Sequence, residues 1–104
     1  MASTMAVLST QAFATTTHTT RVIPTAEVSS EVCAYELALE KLQTLKADSA
    51  VELNKDLGQI AYESPRSLSL NDGSYVTVAE KMNANGELSY TGLVNISVTF
   101  DIAE

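Results

Sequence analysis

From Glu87 to Ile102 the chain alternates. Leu88, Tyr90, Val94, Ile96, Val98, Phe100 and Ile102 share one parity; Glu87, Ser89, Thr91, Asn95, Ser97, Thr99 and Asp101 share the other, with Leu93 out of step. A period of two predicts a strand with one buried and one wet face, the habit of antiparallel sheets. About 16 residues at about 3.3 Å each would span roughly 53 Å. A ninety-residue domain has a radius of gyration of only about 12 Å. The strand is therefore expected to bend, and Gly92 is the expected place.

The same parity persists upstream. Leu68 and Leu70, then Val76, Val78 and Met82, are even-numbered like the buried set of the last strand. Residues facing each other across a hairpin share a sheet face, so each turn must pair even with even. Two-residue loops at Asp72-Gly73 and Asn85-Gly86 would break that rule. Three-residue loops, Asn71-Asp72-Gly73 and Ala84-Asn85-Gly86, keep it and place glycine at the left-handed position of a G1 bulge. The C-terminal part thus reads as a meander of three strands.

"VSSEVCAYELALEKLQTLKADS" changes period. Val32, Tyr35, Leu39, Leu42 and Leu45 recur at spacings of three and four, with Ala38 between them, and predict one buried stripe of a helix. Ser29 or Ser30 supplies its N-cap oxygen, and with Ser29 as cap, Val28 and Cys33 would form a hydrophobic staple. Ser49-Ala50-Val51-Glu52 has the form of a capping box and starts a second, short helix, which Gly58 stops. Ahead of both helices, β-rich Thr17 to Ile23 predicts a first strand, ended by Pro24. The fold class is α+β: a two-layer domain over residues 15–104 in which a mostly antiparallel four-stranded sheet has one face covered by a long and a short helix. Pairing the first strand with the last gives the order 1-4-3-2.

The opening "AVLSTQAFATTTHTT" adds a question of address. Ala12-Phe13-Ala14 fits a signal-peptidase site, behind a short polar stretch and the apolar Met5 to Leu8. No Lys or Arg precedes Arg21, so residues 1–14 read as a signal-peptide remnant that lacks its basic front, and the mature chain is expected to start at Thr15 in a periplasmic or secreted location. No segment approaches the roughly 18–20 apolar residues of a membrane span. The 13 acidic residues outnumber the 6 basic ones, for a net charge of −7. That balance argues against nucleic acid and anionic membranes as partners, since phosphates are met by Lys and Arg.

Candidate chemistry is sparse. His18 is the only histidine and Cys33 the only cysteine. An internal disulfide is therefore impossible, as is a pair of histidines on one metal. Cys33 is expected to be a small buried side chain in the first helical turn, and His18 a solvated or rim residue. Glu80 interrupts the apolar face between Val78 and Met82, where the strand end projects into water or a helix lysine (Lys41 or Lys46) reaches it. "LNDGSY" lacks the spacing of a calcium loop and reads as a turn. Asn95-Ile96-Ser97 has the form of a glycosylation sequon on the wet face. Tyr35, Tyr62, Tyr75 and Tyr90 would be core or rim aromatics, or would line a cleft between helix and sheet. No catalytic, cofactor-binding or metal-binding residue is assigned, and no cofactor is implied.

"TTRVIPTAEVSSEVCAYELALEKL" together with "LSLNDGSYVTVAEKMNANGELSYTGLVNISVTF", behind the signal remnant, resembles small exported proteins of marine gammaproteobacteria known only as domain of unknown function 3316. The resemblance implies export and a compact single domain, and transfers no active site. The expected function is a non-enzymatic exported module that binds a protein or small ligand or associates with itself. The alternatives are a carrier of a small apolar ligand between helix and sheet and, last, a hydrolase using His18 and Cys33. The first strand, at a sheet edge, is the expected contact: Thr15 to Thr20 would accept a partner strand.

Overall fold

A computed structural model describes residues 14–103. The proposed leader, apart from Ala14, lies outside the described residues. In chain order the elements are β1 (Ala14–Val28), α1 (Glu31–Ala47), α2 (Ala50–Asp56), a 3-10 turn (Pro65–Ser67), β2 (Ser69–Leu70), β3 (Tyr75–Met82) and β4 (Leu88–Ala103). The class is α+β, a four-stranded antiparallel sheet with both helices.

β4 is the axis of the sheet. β1 pairs along one side of it, from Ala14↔Ala103 to Val28↔Tyr90. On the other side β2 and β3 lie end to end, with Leu70 opposite Val98 and Tyr75 to Met82 opposite Asn95 to Leu88. The expected order 1-4-3-2 is therefore corrected, because β2 pairs with β4 and not with β3. Parity does not separate the two arrangements, since both keep Leu70, Val76 and Val78 on one face. The turn decides: Ser74 N–H bonds Asn71 O at 3.2 Å, and Asn71 N–H continues the β4 ladder to Ser97 O at 2.7 Å. Asn71 to Ser74 is a step along the flank of β4 rather than a reversal. The second turn is a true hairpin of the expected length, closed by Asn83 N–H to Glu87 O at 2.9 Å, with Gly86 at φ 82°.

Val94, Ile96, Val98 and Phe100 are buried, as the alternation predicts, and join Leu42, Leu45, Leu53, Leu57 and Leu68 in one cluster. The helix stripe differs from expectation. α1 buries Ala34, Ala38, Leu42 and Leu45, whereas Val32, Tyr35 and Leu39 are 65%, 45% and 47% exposed. Gly92 explains the rotation. A Cβ there would strike the Ala34 carbonyl oxygen and come within 2.9 Å of both Ala38 Cβ and Thr25 Oγ1. The helix lies down on glycine through its alanine face, and its larger side chains are turned to the flank. Gly92 is thus a point of close approach, and β4 continues through it as one strand of 16 residues.

β1 also passes Pro24. The strand resumes through a register shift between Pro24 and Glu27, a position an edge strand tolerates because the missing N–H interrupts no inner ladder. Ser30, not Ser29, caps α1, accepting Cys33 N–H at 3.3 Å, so the staple of Val28 and Cys33 does not form. The Ser49–Glu52 capping box forms as expected, and the chain leaves α2 through Gly58 at φ 82°.

Candidate functional site

β1 has β4 as its one strand neighbour among the described residues, so its outer side presents backbone N–H and C=O groups along most of its 15 residues. Such a row is a template for another strand. Thr16, His18, Thr20, Arg21 and Val22 are all exposed. The opposite flank of β4 is less continuous, being broken by the turn between β2 and β3.

Side chains on the open face tie β1 to β4 and define its surface chemistry. Thr16 Oγ1 donates to Asp101 Oδ1 at 3.2 Å, and His18 Nδ1 lies 3.0 Å from Thr99 Oγ1. Thr99 Oγ1 in turn donates to Asn71 Oδ1 at 3.0 Å, while Asn71 Nδ2 donates to Ser97 Oγ at 3.0 Å. With the threonine's one proton committed to Asn71, His18 donates through Nδ1, and its Nε2 is directed away from this bond. His18 is therefore a surface member of a hydrogen-bonded chain that runs from β1 across β4 to the turn after β2. Below it, Lys81 Nζ reaches across β4 to Glu27 Oε2 at 2.7 Å, and this ion pair holds the Glu27 carboxyl below the usual carboxylate range.

The other candidates scatter. Cys33 is exposed, correcting the expected burial; it borders a surface cavity of about 390 Å³ with Val28, Glu36, Leu37 and Glu40. Cys33 lies on α1 and His18 on β1, and neither the hydrogen bond of His18 nor the cavity beside Cys33 brings the two together. Glu80 is exposed at the end of β3, opposite Tyr90. Desolvation and the Glu80 carboxylate raise the Tyr90 hydroxyl above its ordinary range. The tyrosine-lined cleft is the alternative to core or rim positions; the cavity of about 390 Å³ between the end of α1, α2 and β2 is lined by Leu45, Lys46, Asp48, Leu53, Leu68 and Asp72 among others, with no tyrosine. Tyr75 instead flanks a small groove of about 170 Å³ on the open sheet face, with Thr20, Val22, Asn95 and Ser97. Asn95 of the sequon donates to Thr77 Oγ1 at 3.0 Å. Among the described residues there is no group of three or more His, Cys, Asp or Glu side chains placed to hold a metal ion.

Two features escaped the sequence. Asn54, only 1% exposed, accepts the Ala61 N–H at 2.7 Å and donates to Gln59 Oε1 at 3.0 Å, pinning the loop after α2. Asp48 Oδ2 is buried with no donor to meet it. A proton shared with Asp56 is the first cause that holds its carboxyl above the usual range, with desolvation and the charges of Asp56 and Glu52 adding to it.

A family model matches the chain over residues 1–104, and its description is domain of unknown function DUF8398. The chain belongs to that family. This corrects the resemblance to domain of unknown function 3316, which rested on the general texture of the two quoted segments and not on a signature residue. No curated protein and no solved structure matches this DUF8398 chain. Among its described residues no helix is long and apolar enough to cross a membrane.

Proposed function

We propose that the chain is a small exported, non-enzymatic interaction module whose working surface is the outer edge of β1, which takes up a further strand by β-augmentation. The observation that supports this is the length of that edge, exposed from Thr16 through Val22 apart from the half-buried Thr17 and Thr19. Natural edges are usually blunted by charge, proline, bulges or a covering element. β1 has Arg21 and then Pro24 with its register shift, so the blunting lies toward its C-terminal end. Main-chain hydrogen bonds supply affinity in this mode and alternate side chains supply selectivity. The carrier reading would draw on the cavity beside β2, whose lining includes Lys46, Asp48 and Asp72; those charges suit it poorly to an apolar ligand.

Residue-resolved amide exchange in dilute protein tests the edge. Amides of β1 directed at β4 should exchange slowly and those directed outward quickly, in alternation from Thr16 to Ile23. Uniform protection in a demonstrated monomer would overturn the reading. Export is tested separately: with a basic stretch added ahead of Met1, the protein recovered from periplasm should have the mass of a chain beginning at Thr15.

A further inference from the structure

The geometry points to a second copy of this chain as the strand that β1 takes up, paired antiparallel about a two-fold axis at His18. The inference rests on the edge reading of β1 and adds the partner and the register.

Charge narrows the partner first. The chain carries 13 acidic residues, and none precedes Glu27; the only charge before it is Arg21. Two copies with a net charge of −7 each repel across most of their surfaces, and like charges set opposite each other on paired strands are destabilising. The stretch from Thr16 to Thr20 is where the edge bears no Lys, Arg, Asp or Glu side chain. Among the described residues, the carboxylate shown bonded to this stretch is Asp101, one strand further in and already engaged with Thr16, so a partner strand rich in Lys or Arg gains little here. A neutral strand fits this edge better than a cationic one.

Register narrows it further. In a two-fold antiparallel pair, residues equidistant from the axis face each other, and an interface of this kind is self-complementary. The sheet face must also be kept, because a one-residue slip carries every side chain to the other side. With the axis at His18, Thr17 meets Thr19 of the second copy on the helix-bearing face. Thr16 meets Thr20 on the open face, and both copies place their helices on the same side. Threonine opposite threonine is a favourable cross-strand pair. Moving the axis to Thr19 keeps the faces but sets Thr17 against Arg21 and Thr16 against Val22, which loses both matches. Pro24 and the register shift after it bound the ladder at each end.

Crosslinking reads the register directly. In a two-fold pair only the residue on the axis faces its own counterpart, with Cβ atoms about 4.5–5.5 Å apart, close to disulfide reach. Residues two positions from the axis sit about 13 Å from their own copies. In a Cys33→Ser background, which removes the exposed native thiol, His18→Cys should give a covalent dimer under mild oxidation. Thr16→Cys and Thr20→Cys should each stay monomeric alone and form a mixed dimer when combined. Because His18→Cys removes the bond to Thr99, the pair Thr17→Cys with Thr19→Cys repeats the test with His18 intact. Self-linking at Thr19 or Thr20, or no linking at any position, would overturn the inference. If linking fails while β1 retains fast outward amides, the second copy is wrong and the edge reading stands. If linking fails and those amides are protected in a monomer, both fall.

Discussion

Replacing Gly92 by alanine tests the contact that orients α1. The added Cβ would run into the Ala34 carbonyl oxygen, a main-chain atom of the helix, and would lie 2.9 Å from Ala38 Cβ and Thr25 Oγ1. Ala34 and Ala38 are both 0% exposed, so neither the helix nor the strand has free space into which to retreat. Overpacking of a filled core costs about 1–3 kcal/mol, and a main-chain obstacle puts this site near the top of that range. Glycine-to-alanine replacement returns about 0.4–1 kcal/mol through the unfolded chain, which leaves a net loss of roughly 2 kcal/mol. With a urea m-value of about 1 kcal/mol/M for a small domain, the unfolding midpoint should fall by about 2 M. Gly73→Ala is the control, because nothing lies within 4 Å of its added Cβ; it should stay within about 0.5 kcal/mol. Urea unfolding followed by circular dichroism reads both. A Gly92→Ala midpoint equal to that of Gly73→Ala would refute the close-approach argument and, with it, the account of why the alanine face is buried.

Core weights follow from the rotated helix: Ile96→Ala, at 1% exposed, should cost about 2–5 kcal/mol, and half-exposed Leu39→Ala distinctly less in the same unfolding assay. Asn54→Ala leaves the buried Ala61 N–H without its acceptor and should cost about 1–3 kcal/mol. The Asp48 carboxyl binds its proton more tightly in the folded state, so its contribution is complete below the unfolded carboxylate range and is lost as pH rises through the folded value. Asp48→Asn, whose amide can donate to Asp56 at any pH, should therefore exceed the natural chain in stability at pH 7 and match it near pH 3.5; equal stability at both would refute the shared proton.

Alternation from Leu88 to Ile102 determined the buried and wet faces of β4, and the cap and turn residues at Ser49, Gly58 and Gly86 determined where the chain stops and reverses. These are local properties, set by the period of the backbone and by which residues tolerate a given φ. His18 on a polar rim and β1 beside β4 were also legible, the first from its threonine neighbours and the second only as one of several ways to close a sheet. The tertiary structure alone decided that β2 joins β4 directly, since both arrangements satisfy the same parity and the choice lies in the bonds of Asn71. It alone chose between two stripes of α1, because the larger apolar residues predict one side while the bare backbone at Gly92 admits only the other. Cys33 is exposed because it falls far round the helix from the buried Ala34, Ala38, Leu42 and Leu45. The burial of Asn54 depends on how the loop after α2 folds back, and the approach of Asp48 to Asp56 on how the end of α1 meets α2, geometries that no period or propensity along the chain records.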